Sequence, residues 1–173
     1  MYQYFQNNDL DEIIPNLWLG NYVAAIDLTN LENKGIKKIL TVMDYDDGLV
    51  YDKSYIHKKC KVEDSCRQNI IQYFGECLNF IKGGEKVLVH CMAGASRSAT
   101  IVIAYIMWSQ RWPFQRSIAL VRDKRPLIGP NEGFVKQLEM FENYLIYYDY
   151  DIGKIDFKAI QWKPTEEMLK VFL

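Results

Sequence analysis

Residues 90–98 read His90-Cys91-Met92-Ala93-Gly94-Ala95-Ser96-Arg97-Ser98 and join two apolar segments of different kind. Before them stands Lys86-Val87-Leu88-Val89, short and β-branched, which is a strand pattern. After them, residues 99–108 form an apolar run long enough for a buried helix. A strand passing through a tight loop into a helix N-terminus makes an anion site. The loop N–H groups turn inward, and the first helical N–H groups have no intrahelical acceptor. Gly94 can take the positive φ that such a turn needs. Cys91 stands at the mouth of the loop, facing inward N–H dipoles that activate a thiol as a nucleophile. Arg97, six residues on, can curl back and offer a two-pronged donor to a tetrahedral oxyanion. Nucleophile, anion cage and clamp together suit attack on a phosphate monoester through a covalent thiophosphate. A Cys and an Arg at this spacing often coincide by chance. With His90, Gly94 and Ser98 also in place, and a strand before and a helix after, chance becomes a poor explanation. The competing reading makes Cys91 a buried structural thiol and Arg97 a surface residue at a helix start.

The flanking chain alternates in type. Residues 1–12 read as an irregular lead-in, and 14–20 as a short strand closed by Gly20. Residues 21–34 read as one helix with Ala25, Leu28 and Leu31 on one face and Gly35 just past its end. Residues 38–43 make a central strand. In 55–62, a further strand, Ile56, Cys60 and Val62 share a face with Lys58. Residues 70–82 form an amphipathic helix carrying Ile70, Phe74, Cys77, Leu78 and Ile81 on one stripe. Pro113 opens another helix, and 131–148 is a long one with Phe134, Leu138, Phe141 and Leu145 inward. Strands alternating with helices, then helices alone, predict an α/β fold: a mostly parallel central sheet flanked by helices, with a helical C-terminal layer. The catalytic domain spans 13–148. Residues 149–173 are too apolar for a disordered tail, with Ile152, Ile155, Phe157, Ile160, Trp162 and Phe172, and are expected to pack on the domain or on a second copy in a homodimer.

With 173 residues, 49% of them hydrophobic and 25% charged, the chain has globular values and enough length for one sizeable core. A net charge of −1 gives no bulk field for nucleic acid or an anionic membrane, and neither is expected as a partner. No uncharged apolar run is long enough to span a bilayer, and the first residues are no export signal. A cytosolic or nuclear location is therefore expected, where a reactive thiol stays reduced. The four cysteines, Cys60, Cys66, Cys77 and Cys91, lack metal-ligand spacing, and two histidines add little, so no metal site is expected.

The segment HCMAGASRS resembles the signature loop of the cysteine-dependent protein tyrosine phosphatase superfamily. Its Ser-Arg-Ser ending, followed by Ala104-Tyr105-Ile106-Met107, is similar to the small, atypical dual-specificity phosphatases, and the similarity runs from about Ile13 to Tyr144. The resemblance implies a sheet with this loop at the strand C-terminal edge. It also implies hydrolysis of phosphotyrosine and phosphoserine or phosphothreonine in phosphorylated protein substrates, with no cofactor. The neutral loop floor, with Met92 and Ala95, lacks the lysines of relatives that act on phosphoinositides. Lipid, RNA 5′ ends and phosphoglucan are weaker substrate readings for that reason, and a phosphoprotein-binding pseudophosphatase is the other rival.

Such a reaction needs a general acid, because an alkoxide or phenoxide leaves poorly until protonated. Asp64 follows the strand that ends near Val62, so it should lie at the same sheet edge as Cys91. The stretch VEDSCRQNIIQYF also resembles the family's general-acid loop, with Glu63 the rival carboxylate. Ser98 can donate to the Cys91 sulfur and ease its departure, or simply satisfy local backbone at the helix start. The backbone of Met92, Ala93, Gly94, Ala95 and Ser96, with Arg97, forms the expected substrate cradle. His90 reads as a buried support. Asn131 matches a family Asn that braces the phosphate loop, and reads equally as the N-cap of the helix it precedes. Cys66, two residues from Asp64, is a candidate resolving thiol for oxidised Cys91 or a small buried apolar residue.

Overall fold

The structure, a computed structural model, describes residues 9–45 and 48–170. Five strands form one sheet: Leu10–Ile14 (β1), Leu17–Gly20 (β2), Lys38–Met43 (β3), Ile56–Lys61 (β4) and Val87–His90 (β5). Their order is β1-β2-β5-β3-β4. β1 runs antiparallel to β2, and the β2–β5, β5–β3 and β3–β4 pairings are parallel. β5 is central and buried along its whole length, which its β-branched, apolar sequence suits.

Side-chain alternation sorts the strands between two faces. Leu17, Leu19, Leu40, Val42, Val87 and Val89 join the larger core. It is completed by Phe74–Ile81 (α3), Arg97–Ser109 (α4), Phe114–Lys124 (α5) and Glu132–Tyr147 (α6). Ile39 and Leu88 face the other way, against Ala24, Ala25 and Leu31 of the short helices Tyr22–Ile26 (α1) and Leu28–Lys34 (α2). Within the larger core, Phe74 and Phe141 meet edge to face at 5.0 Å, joining α3 to α6. The fold is thus an α/β sandwich with a central mixed sheet and helices on both faces. Among the described residues, no helix is long and apolar enough to cross a membrane.

Several local expectations change. Residues 1–8 lie outside the described residues, but Leu10–Ile14 is a strand rather than an irregular lead-in. Its alternation is masked by Asp11 and Glu12, and pairing with β2 supplies the hydrogen bonds. The helix expected over 21–34 is two. Asp27 ends α1, its N–H reaching the Val23 carbonyl, and its carboxylate caps α2 by accepting from Asn30 N–H at 3.1 Å. Leu28, which periodicity placed inward, sits on the first turn after that break and is 45% exposed. On the edge strand β4, Cys60 is buried but Ile56 is 56% exposed. Helix α3 reaches over Cys60 and Lys58, through Cys77 at 3.4 Å and Glu76 at 2.8 Å, and leaves the strand's start uncovered. Residues 71–73 begin the third helical segment as a 3₁₀ turn. Pro113 stands at the N-cap of α5, one residue before the first helical position.

The chain past α6 turns through residues 152–154 and returns along the domain to Glu166–Lys170 (α7). Ile152, Ile155, Phe157 and Ile160 are buried in the larger core. Phe172 lies outside the described residues.

Candidate active site

Strand β5 ends at His90, and residues 91–96 form the loop that leads into α4. Every carbonyl along the loop's crest is held from outside. Tyr22 N–H donates to Met92 O at 3.1 Å, and Gly129 N–H to Ala95 O at 2.9 Å. The Arg125 guanidinium donates to Gly94 O at 2.9 Å and to Ala93 O at 3.4 Å. A planar trans peptide points its N–H opposite its carbonyl, so the N–H groups of Ala93, Gly94, Ala95 and Ser96 face the other side, into the loop. Gly94 has φ of +65°, and a Cβ there would lie 2.5 Å from the Gly20 carbonyl oxygen. Only glycine fits both the conformation and the close approach to the end of β2.

Cys91 sits at the base of this loop, 2% exposed. Ser98, on the first turn of α4, donates its hydroxyl to Cys91 Sγ at 3.1 Å. Arg97 begins α4 and folds its side chain back to the sheet edge. Its Nη1 donates to Asp44 Oδ1 at 2.8 Å and to Val62 O at 3.3 Å. Its Nε is buried without a hydrogen-bond partner and lies 3.9 Å from Asp64 Oδ2. The clamp cation is therefore held between two carboxylates, both about two-fifths exposed.

Asp64 is joined to the phosphate-type loop. Its Oδ1 accepts from Ser96 Oγ at 2.7 Å and from Asn131 Nδ2 at 2.9 Å. Asn131 fills both of its expected places. Its Oδ1 caps α6 by accepting from Phe134 N–H at 3.0 Å, and its own N–H donates to Ser96 Oγ at 3.2 Å. It thus braces the loop through Ser96 and holds the Asp64 carboxylate through its side chain. The chain after Asp64 is fixed to α6 in two ways. Gln137, fully buried, accepts from the N–H groups of Ile70 and Ile71 at 2.8 and 3.1 Å and donates to Gln68 O at 2.9 Å. Gly133 also lets the Cys66 backbone approach so closely that a Cβ would meet its carbonyl oxygen at 2.5 Å.

His90 is fully buried, and its Nε2 meets Thr41 Oγ1 of β3 at 2.7 Å. The same hydroxyl meets His57 Nε2 of β4 at 2.8 Å, so one threonine links three neighbouring strands next to the Cys91 loop. Cys66 is buried, with its sulfur 3.8 Å from the Met168 carbonyl oxygen. The thiols that do adjoin are Cys60 and Cys77, at 3.4 Å. Their hydrogen bond lowers the Cys60 thiol from its ordinary value and, with burial, holds Cys77 well above it. All four cysteines are free, and among the described residues no group of three His, Cys, Asp or Glu could hold a metal ion.

Three contributors escape sequence reasoning. Asp44 follows β3 at the same sheet edge as Asp64, so the strand-end argument used for Asp64 would have found it. Arg125 and its partner Asp11, at 2.7 Å, carry no local signal: one looks like a basic helix end, the other like a lead-in acid.

The family model for the dual specificity phosphatase catalytic domain matches residues 17–144. The chain belongs to this phosphatase family. It is 38% identical over 166 residues to dual specificity protein phosphatase 22-B of Danio rerio, covering 93% of this chain and 89% of that protein. Identity to tyrosine-protein phosphatase yvh1 of Schizosaccharomyces pombe is 37% over 138 residues, 78% of this chain but only 42% of that protein. The chain thus spans less than half of that relative. Among solved structures, the human tyrosine phosphatase-like serine/threonine/tyrosine-interacting protein is similar, with a TM-score of 0.76 at 34% identity over 81% of this chain and 99% of that one. The structure of DUSP15 also has a TM-score of 0.76, at 30% identity over 87% of this chain and 99% of that one. The matched region is the catalytic domain of the dual specificity phosphatases, a family of hydrolases. Its mixed sheet flanked by helices is the architecture of these relatives.

Proposed function

We propose that this dual specificity phosphatase hydrolyses phosphotyrosine and phosphoserine or phosphothreonine in proteins through a cysteinyl phosphate on Cys91. One observation carries the reading. The loop holding Cys91 and the loop holding Asp64 share a hydrogen bond, Ser96 Oγ to Asp64 Oδ1 at 2.7 Å, so nucleophile and acid belong to one unit. The inward N–H groups of residues 93–96 and the Arg97 guanidinium hold the non-bridging oxygens of the phosphoryl group. Cys91 Sγ forms the bond to phosphorus as the ester oxygen leaves, and that oxygen takes a proton from Asp64. Water then attacks phosphorus and gives a proton to Asp64. The sulfur–phosphorus bond breaks, and the departing sulfur receives the Ser98 hydroxyl's hydrogen bond, present at 3.1 Å. Inorganic phosphate and the starting enzyme result. This chemistry requires a reduced Cys91, in keeping with a cytosolic or nuclear setting and with four free thiols.

The test is turnover of a small aryl phosphate in EDTA by the freshly reduced protein, beside Cys91→Ser and Asp64→Asn. Wild-type turnover, an inactive Cys91→Ser and an Asp64→Asn slowed by about 100-fold are expected. A reduced wild type that binds phosphate analogues without turnover would overturn the enzymatic reading. Phosphopeptides bearing each of the three phosphorylated residues then measure the breadth of specificity.

A further inference from the structure

The C-terminal chain lies beyond the matched residues 17–144, yet it returns to the catalytic centre. Trp162 Nε1 donates to the Cys66 carbonyl at 2.7 Å. Asn69 Nδ2, from the other end of the same loop, donates to the Ile160 carbonyl at 2.8 Å. The Cys66 sulfur rests 3.8 Å from Met168 O, and Met168 is buried. Leu169 lines a cavity of about 180 Å³ together with Asp64, Ser65, Cys66 and Arg67. The returning chain is itself firmly anchored. Ile152, Ile155, Phe157 and Ile160 are buried, Phe157 meets the Phe141 ring at 5.9 Å, and Trp108 Nε1 donates to Tyr150 O at 3.0 Å.

We propose that Trp162 is a positioning residue for the general acid: by holding the Cys66 carbonyl, the C-terminal extension sets the path of the acid loop and the angle of the Asp64 carboxylate. The inference rests on Asp64 acting as the acid. Asp64 accepts the hydrogen bonds of Ser96 and Asn131 through Oδ1, while Oδ2 is held more loosely, facing Arg97 Nε at 3.9 Å. With so long a contact on the second oxygen, its orientation depends also on the backbone that carries the side chain. Two residues on, the Cys66 carbonyl accepts from the indole N–H, a donor fixed in the plane of a half-buried ring. A general acid works only within hydrogen-bond reach of the leaving oxygen, so a small change in loop path is felt in proton transfer before it is felt in binding.

The experiment uses the full chain and two substrates, phenyl phosphate and a nitro-substituted aryl phosphate whose leaving group needs little protonation. Trp162→Phe keeps an aromatic ring and removes the donor. Expected is a kcat on phenyl phosphate lower by about threefold to tenfold, the effect of one hydrogen bond. KM should stay the same and kcat on the activated ester should change little. In the Asp64→Asn background the same substitution should have no effect on either substrate, because the group it positions is gone. An equal loss on both substrates, an equal loss in both backgrounds, or no loss would each overturn the inference. Asn69→Ala, which cuts the second tie from the loop side, should give the same pattern and decides the matter if Trp162→Phe does not fold. If Asp64→Asn is itself not slowed, the acid assignment falls and this inference with it. If Asp64→Asn is slowed but the Trp162→Phe loss persists there, only the positioning inference fails.

Discussion

In the proposed mechanism, Ser98 is the residue whose contact would separate the two halves of the reaction. Its hydroxyl meets the Cys91 sulfur at 3.1 Å and nothing else at that distance from the nucleophile is a side-chain donor among the described contacts. A hydrogen bond to sulfur matters most when sulfur is the leaving group, in hydrolysis of the thiophosphate. Ser98→Ala should therefore slow the second step by about tenfold or more while leaving the first nearly unchanged. Rapid quenching followed by mass measurement should then show the phosphorylated enzyme accumulating, with a burst of released phenol. A variant without a burst, slowed equally in both steps, would place Ser98 in structure alone. Arg97 illustrates a different balance. Its guanidinium is 9% exposed and stands between Asp44 and Asp64, so its charge is compensated before any phosphate arrives.

The loop, β1 and the end of α5 act together through Arg125. This side chain is fully buried, reaches Gly94 O and Ala93 O with two nitrogens, and pairs with Asp11 at 2.7 Å with a third. Removing one partner of a buried pair costs about 3–5 kcal/mol, because the other charge and the loop carbonyls lose their partners. Arg125→Met should lower the melting temperature by about 10 °C and reduce kcat/KM together with it. Pairing it with Asp11→Leu removes the stranded carboxylate and should restore much of the stability. Activity should stay low, since the carbonyls of Gly94 and Ala93 still lack their donor and the loop is no longer held open from behind. Full recovery of activity in the double variant would show that the brace serves stability only.

The C-terminal extension ties the residues after α6 to the larger core. Four apolar side chains between residues 152 and 160 are buried there. At about 1.5–3 kcal/mol for each fully buried side chain, their loss is comparable with the whole stability of a domain. Truncation after Asp151 should lower the melting temperature by 10 °C or more, read by circular dichroism or calorimetry. An unchanged melting temperature would mean that the extension merely lies on the surface. Its packing could not be read in detail beforehand. An apolar composition says that a segment must be covered, but it does not say by what.

The strand–loop–helix at residues 86–108, the alternation of strands and helices and the places of Cys91, Arg97, Asp64 and Ser98 were legible in the chain, because each depends on near neighbours. Apolar period, a glycine at a turn and an acid just past a strand end are local signals with direct conformational meaning. The same local reading failed at residues 21–34, where the carboxylate of Asp27 prefers to cap a new helix over continuing an old one. The contacts that surround the nucleophile are of another kind. Trp162 meets Cys66 across 96 residues, and Asp11 meets Arg125 across 114. Single polar residues so far apart leave no pattern in sequence. Their pairing follows only when the sheet closes in the order β1-β2-β5-β3-β4 and the buried loop carbonyls and charges must find partners.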